Sequence, residues 1–100
     1  MVYHRIIWKL KEELTLEEKT RVKANAKAHL QELVGVIDGL ISLNVITDLL
    51  AGSSGDMMLD SCFESEEALR AYSAHPAHQA VANTYVRPFT ASRACVDYEV

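Results

Sequence analysis

Strict alternation of side chains from residue 2 to residue 10 constrains the fold of this chain more than any other feature. In an extended strand, successive side chains point to opposite sides of the sheet. One side would carry Val2, His4, Ile6, Trp8 and Leu10, and the other Tyr3, Arg5, Ile7 and Lys9. Because both sides present large side chains, we predict a β-strand that needs contacts on both faces.

The next segment has the signature of a long helix. Thr15, followed three residues later by Glu18, forms a capping box. An apolar stripe then repeats at helical spacing, through Val22, Ala26, Leu30, Leu33 and Ile37. Gly35 and Gly39 bracket its end. We therefore predict a first helix from about Leu16 to this pair of glycines.

Three further strands and two further helices complete the pattern. Branched and apolar residues predict strands at 40–47 and 57–63, a flexible turn separates them at 51–56, and alternation predicts a last strand at 93–100. Ser65, followed by two glutamates, begins a short second helix. Pro76 interrupts that helix and begins a third one, which we expect to end near Pro88.

The element order βαββ(αα)β is typical of an α+β, ferredoxin-like βαββαβ fold, with helices on one face of a four-stranded antiparallel sheet. A chain of 100 residues, 49% of them hydrophobic, builds one core, so we expect a single domain over residues 1–100. The second strand is also apolar on both sides, with Ile41, Leu43 and Val45 on one and Leu40 and Ile46 on the other. Since the helices cover only one face, we predict a homodimer that packs sheet against sheet.

Charge and apolar patterning exclude several classes of function. The net charge is -4 and the basic residues are scattered, so the sequence offers no surface for nucleic acid. No apolar run approaches the roughly 20 residues of a membrane span. Residues 1–11 alternate, unlike a signal peptide, so we expect a cytoplasmic protein.

The cysteines and histidines do not follow a metal-binding pattern. Cys62 and Cys95 are far apart and fit neither a redox motif nor zinc spacing, so we expect two buried thiols without a disulfide. His75 and His78 lack a further ligand at suitable spacing, and a proline separates them. We therefore predict that the protein holds no metal.

Side chains that can transfer protons are densest at the junction of the second and third helices. Helical spacing turns Tyr72 and His78 toward the sheet, where His4 of the first strand would approach them. Because imidazole titrates near neutral pH, Tyr72 and His78 suit a general acid/base pair in an apolar cavity. The alternative is that both are hydrogen-bonded core residues and that His75 caps or anchors the helix junction.

Whether the space between sheet and helices is open decides between these interpretations. In an open pocket, a substrate would contact His4, Trp8, Met57, Leu59 and His75. In a closed one, Trp8, Met57, Leu59 and Phe63 would fill the space as core residues.

Several short motifs, spread over nearly the whole chain, are specific in combination. They comprise His4, Lys-Leu-Lys at 9–11, Leu-Ile-Ser-Leu at 40–43, Phe-Glu-Ser at 63–65, Ala-Tyr at 71–72, His-Pro-Ala-His at 75–78, Arg-Pro at 87–88 and Asp-Tyr-Glu-Val at 97–100. With these motifs the chain resembles the stress-responsive A/B barrel family, dimeric ferredoxin-like proteins of plants, fungi and bacteria.

The resemblance implies a βαββαβ protomer and a dimer whose two sheets form a central barrel. Most members of the family have no assigned reaction, but one, a plant polyketide cyclase, performs an intramolecular aldol condensation between sheet and helices. Its Tyr and His acid/base pair would correspond to Tyr72 and His78, and its first-strand His to His4. In an ungapped comparison, Met57 and Lys27 stand where that cyclase has a further His and Tyr in its pocket.

Two functions follow from these observations. In the first, the protein binds a small, mostly apolar or aromatic molecule between sheet and helices, without a cofactor, and Tyr72 and His78 transfer protons as in the polyketide cyclase. In the second, it is a non-catalytic dimeric protein of stress response, and the same residues are structural. A cofactor-free monooxygenase, as built on related dimeric folds, is a third possibility to which no residue points specifically.

Overall fold

The computed structural model describes residues 1–100. Its strands and helices are β1 (Val2–Leu10), α1 (Leu16–Gln31), β2 (Leu40–Ile46), β3 (Met57–Phe63), α2 (Glu66–Ala74), α3 (Pro76–Val81) and β4 (Thr90–Glu99). Between α3 and β4 the chain forms a π-helical turn at Ala82–Val86 and a 3-10 turn at Arg87–Phe89. The order of elements agrees with the sequence-based prediction.

The four strands form one antiparallel sheet in the order β2-β3-β1-β4. This order places β1 in the interior of the sheet, between β3 and β4, and leaves β2 and β4 at its edges. The predicted ferredoxin-like α+β fold is therefore confirmed. No helix is long and apolar enough to cross a membrane.

The core lies between one face of the sheet and the helices. On β1 the buried side chains are those of the predicted face, namely Val2, His4, Ile6, Trp8 and Leu10. They pack against Val22, Ala26 and Leu30 of α1 and against Leu69 and Tyr72 of α2. Alternation along β1 therefore predicted correctly which side chains enter the core.

Local signals at the helix starts are also confirmed. The Thr15 hydroxyl accepts a hydrogen bond from the Glu18 amide (3.1 Å), and the Glu18 carboxylate accepts one from the Thr15 amide (2.9 Å). The Ser65 hydroxyl accepts a hydrogen bond from the Ala68 amide (3.1 Å) and caps α2. These side chains satisfy backbone donors that a helix leaves free at its first turn.

The end of α1 differs from the prediction. The helix stops at Gln31, and tight turns follow, in which Gly35 and Gly39 adopt positive φ angles of 88° and 84°. Leu33 and Ile37 are nonetheless buried, because the turns bring both side chains back onto the core. The apolar stripe thus marked burial correctly but overestimated the length of the helix.

A β-bulge in β2 changes the predicted faces of that strand. The register with β3 shifts between Leu40 and Ser42, so Leu40 pairs with Phe63 and shares the helix-covered face with Leu43 and Val45. Ile41, expected on that face, is 40% exposed. One extra residue in the strand therefore exchanged the sides of Leu40 and Ile41.

The last strand begins three residues earlier than predicted, at Thr90, and its helix-side face is open. Although Cys95 lies opposite Ile6 of β1, no helix covers it, and its thiol is exposed, contrary to the expectation that both cysteines are buried. Cys62 is buried as expected. Because β4 lies at the sheet edge, the helices leave a groove beside it.

Candidate functional site

The predicted acid/base pair and His4 line one small cavity between the sheet and the helices. The cavity has a volume of about 70 Å³, and His4, Tyr72 and His78 face it from β1, α2 and α3. The ring centroids of Tyr72 and His78 lie 4.3 Å apart, and those of His4 and Tyr72 lie 6.5 Å apart. The convergence that helical spacing predicted is therefore present.

The junction between α2 and α3 brings two of these side chains together. Pro76 occupies the first turn of α3, where its missing amide proton costs no hydrogen bond. The imidazole of His75 accepts a hydrogen bond from the Ala77 amide (3.0 Å) and caps α3. The chain thus turns sharply after α2, so that Tyr72 and His78 approach the same part of the sheet.

The hydroxyl of Tyr72 is buried without a hydrogen-bond partner. The side chain is 1% exposed, and its ring packs against Phe63 with centroids 5.0 Å apart. Burial raises the pKa of Tyr72 above its ordinary value, because the phenolate is poorly solvated there. The hydroxyl therefore stays protonated and is a donor without an acceptor, a rare state for a buried polar group.

His78 is half-buried and favours its neutral form. Burial lowers the pKa of His78, and so do the nearby charges of Arg87, His4 and Arg93, whereas the hydrogen bond to the Ser73 carbonyl raises it. The ring atom Nδ1 lies 3.3 Å from the Ser73 oxygen. When Nδ1 carries the proton and donates to that carbonyl, Nε2 has a free lone pair and can act as a base.

His4 has a partner that the sequence did not reveal. Its Nδ1 lies 2.5 Å from Oδ1 of Asp97, which is opposite it in the register of β1 and β4. The imidazole is 6% exposed, and its Nε2 forms no hydrogen bond yet is not fully enclosed. The carboxylate therefore orients a ring whose second nitrogen is available to a ligand.

A larger groove lies beside the cavity, between α2 and β4. Its volume is about 480 Å³, and its walls include Leu69 and Ser73 from α2 and Cys95 and Asp97 from β4. His4 and Arg93 line both the groove and the cavity, so the two spaces meet at these side chains. Sequence reasoning missed Arg93, and the only available signal was its place on an alternating terminal strand.

The remaining predicted contact residues are divided between the cavity and the core. Trp8 and Leu59 line the cavity. Met57 is completely buried in the core, and His75 caps α3; neither lines the cavity. Much of the space between sheet and helices is therefore filled by side chains.

Lys27, which the family resemblance placed at a pocket position, instead supports the sheet edge. Its Nζ donates a hydrogen bond to the Val45 carbonyl (2.8 Å), and the Gln31 side chain accepts one from the Val45 amide (3.1 Å). These contacts satisfy backbone groups of β2 that would otherwise be unpaired at the edge. Lys27 is therefore outside the cavity.

One trio of side chains could offer ligands to a metal. Nδ1 of His4, Sγ of Cys95 and a carboxylate oxygen of Asp97 lie within 4.8 Å of one another. In a tetrahedral zinc site with bonds of about 2.0–2.1 Å, nitrogen and oxygen ligands are separated by roughly 3.3 Å. His4 and Asp97 are only 2.5 Å apart, which fits a direct hydrogen bond and would have to widen to hold zinc.

Comparison with known proteins gives a consistent picture of the fold. The family model described as the Stress responsive A/B Barrel Domain matches residues 2–100. No curated protein matches the chain at a significant level.

Solved structures agree over almost the full length. A dimeric protein of unknown function and ferredoxin-like fold from Bacteroides fragilis is 29% identical, with a TM-score of 0.91 over 99% of this chain and 95% of the other. A dimeric ferredoxin-like protein of unknown function from Thermobifida fusca is 23% identical, with a TM-score of 0.80 over 99% and 90%. A Dabb family protein from Mesorhizobium loti is 19% identical, with a TM-score of 0.75 over 99% and 95%.

Proposed function

Because the chain belongs to the stress responsive A/B barrel family, we propose that it is a homodimeric protein that binds a small, partly apolar carbonyl compound and transfers protons to and from it. The observation that carries this proposal is the buried Tyr72 hydroxyl, which has no partner and belongs to a side chain that lines a cavity with His4 and His78. A carbonyl oxygen in that cavity would supply the missing acceptor.

The two spaces suit different parts of such a ligand. The cavity of about 70 Å³ holds one or two waters or a single polar group, since a water occupies roughly 30 Å³ in the liquid. The groove of about 480 Å³ is within the range of roughly 300–1,000 Å³ that is usual for ligand pockets. The carbonyl group would enter the cavity, and the body of the molecule would lie in the groove.

The chemistry follows from the protonation states. The Tyr72 hydroxyl donates a hydrogen bond to the carbonyl oxygen, and Nε2 of neutral His78 removes a proton from the adjacent carbon. The electron pair of the broken C–H bond forms a C=C bond as the π pair of the carbonyl moves to the oxygen, and the Tyr72 hydroxyl stabilises the resulting enolate. The imidazolium of His78 then returns the proton to the carbon. Alternatively, the enolate carbon attacks a second carbonyl of the same molecule, as in an aldol cyclisation, and the new alkoxide takes the proton from His78.

The helix-free face of the sheet supports the homodimer. No helix covers this face, which carries the side chains of Tyr3, Ile7, Met58, Val96 and Tyr98. Val96 is 60% exposed and Ile7 is 37% exposed. Apolar side chains on a continuous sheet surface favour contact with a second copy.

Hydrogen–deuterium exchange tests the proton transfer directly. Enolisable ketones are incubated with the protein in D₂O, and loss of the α-proton signal is followed by NMR. We expect His78→Ala and Tyr72→Phe to slow exchange by roughly 100-fold or more and to leave the dimer intact. Tyr85→Phe is the matched control, because Tyr85 stacks on His29 (3.9 Å between centroids) outside the cavity and should exchange at the wild-type rate.

The same experiment addresses the non-catalytic alternative. The small size of the cavity favours that alternative, since Trp8 and Leu59 occupy much of the space that a large ligand would need. Absence of both ligand binding and exchange across a panel of ketones would support a purely structural dimer. Exchange that His78→Ala leaves unchanged would contradict the role given to His78.

A further inference from the structure

The cavity is lined by positive charge although the chain as a whole is acidic. The sequence has 14 Asp and Glu against 10 Lys and Arg, with a net charge of -4. The cavity nevertheless contains no carboxylate among its lining residues, whereas Arg87 and Arg93 both line it, together with two histidines. The sign of the charge at this site is therefore opposite to that of the chain.

Neither arginine is neutralised within the chain. Arg87 donates hydrogen bonds to the side-chain oxygens of Gln79 (2.8 Å) and Asn83 (2.6 Å), both of which are uncharged. Arg93 forms no ion pair, and Asp97 of the same strand pairs with His4. The structure contains four ion pairs, and none includes Arg87 or Arg93.

Arg93 stands where the cavity opens into the groove. It lies opposite Trp8 in the register of β1 and β4 and lines both spaces. Tyr72, whose hydroxyl is buried without a partner, also lines the cavity. The groove wall is of mixed charge, with Arg70 and Arg93 beside Glu66, Asp97 and Glu99. Arg93 is therefore the cation at the point where this wall meets a cavity that has no carboxylate of its own.

We propose that the ligand is a small oxo acid, whose carboxylate binds Arg93 at the mouth of the cavity and whose ketone oxygen accepts the hydrogen bond from Tyr72. The guanidinium group suits a carboxylate because it offers parallel N–H donors in a planar fork. The carbon next to the ketone then lies on the side of His78. This inference rests on the function proposed above and adds the charge of the ligand to it.

The positive charge also serves the reaction. An enolate forming beside Tyr72 carries negative charge, and cations at Arg87 and Arg93 lower its energy. Burial lowers the pKa of His78 most, and the same cations lower it further, so both favour its neutral, basic form. Binding of the ligand's carboxylate to Arg93 therefore makes the site selective for oxo acids. It also fixes the orientation of the ketone.

A matched pair of probes separates charge recognition from binding of the ketone. Phenylpyruvate and its methyl ester have the same ketone and apolar body, but only the acid carries a charge. We expect the wild-type protein to bind the acid about tenfold or more tightly than the ester in calorimetric titrations, and the preference to shrink as salt rises. Arg93→Leu should remove the preference and retain binding of the ester.

Three variants serve as controls for this test. Arg93→Lys keeps the charge and should restore part of the preference for the acid. That result would show that Arg93→Leu loses the preference through its missing charge and not through a folding defect. Arg21→Leu removes an exposed arginine outside both spaces and should leave the preference unchanged. Tyr72→Phe should weaken binding of acid and ester alike.

The possible failures are distinguishable. Equal affinity for acid and ester, or a preference that survives in Arg93→Leu, overturns the inference about charge and leaves the proposed function standing. Absence of binding of both probes overturns the inference and counts against the proposed function as well.

Discussion

Nδ1 of His4 lies 2.5 Å from Oδ1 of Asp97, although 93 residues separate the two in the chain. The antiparallel register of β1 and β4 produces this contact, because it sets the two residues directly opposite each other. His4 faces the cavity of Tyr72 and His78, whereas Asp97 faces the groove. The pair thus connects the two spaces in which we place the ligand.

Replacement of Tyr72 by Phe should raise the free energy of unfolding while it slows proton transfer. The hydroxyl is buried without a partner, and an unsatisfied buried donor costs about 1–3 kcal/mol. Its removal leaves the ring contacts with Phe63 and His78 in place, so we expect a gain of roughly 1 kcal/mol in urea denaturation. Tyr85→Phe, outside the cavity, should change stability little, and a clear loss of stability in Tyr72→Phe would show that the hydroxyl has a partner.

Both cysteines should be free thiols, and the purified protein should contain no zinc. Cys62 and Cys95 are unpaired in the structure, and His4 and Asp97 are too close together to bind one tetrahedral ion without moving apart. Thiol titration in denaturant should find two thiols per chain, and elemental analysis should find no stoichiometric metal. Zinc that is retained by the wild-type protein but lost in Cys95→Ala would identify the trio of His4, Cys95 and Asp97 as a metal site.

Replacement of Val96 by Asp should convert the dimer to a monomer. Val96 is 60% exposed on the helix-free face of the sheet, where a buried carboxylate would be costly in a dimer interface. Light scattering should give about twice the chain mass of 11.2 kDa for the wild type and the chain mass for the variant. Val36→Asp is the matched control, because Val36 is equally exposed but lies in the turns after α1. A monomeric wild-type protein at micromolar concentration would contradict the proposed interface.

Features set by neighbouring residues could be predicted from the sequence. The face of β1, the capping box of Thr15 and Glu18, and the break at Pro76 all depend on signals within a few residues. Helical spacing was likewise sufficient to bring Tyr72 and His78 to the sheet. Local rules therefore determined most of the fold and the centre of the candidate site.

Features set by the pairing of distant strands could not be predicted in the same way. The bulge that exposes Ile41 appears only in the register with β3, and the contact of His4 with Asp97 only in the register with β4. The exposure of Cys95 and the position of Arg93 depend on which strand lies at the sheet edge. No spacing within the sequence contains this information.

His78 should titrate below the ordinary histidine pKa of 6.5, and this limits the pH range in which it acts as a base. Burial lowers the pKa most, and Arg87, His4 and Arg93 lower it further, against the opposing effect of the Ser73 carbonyl. Proton transfer should therefore increase through a midpoint below pH 6.5 and stay constant above it. Tyr72 does not limit the alkaline side, since burial raises its pKa above 10.0.

The same shift predicts the pH dependence of stability. The relevant pH window lies between the folded-state pKa of His78 and 6.5, the pKa of an ordinary histidine. Within this window the unfolded chain binds more protons than the folded one, so the free energy of unfolding falls as the pH falls. Above pH 6.5 the His78 ring is neutral in both states, and this loss of stability is absent. NMR titration of the His78 ring should give the midpoint, and urea denaturation at several pH values should show the decline. In His78→Ala, this part of the pH dependence should disappear. A midpoint at or above 6.5 would mean that the ring is solvated, and His78 would then be partly protonated at neutral pH and a poor match for the role of base.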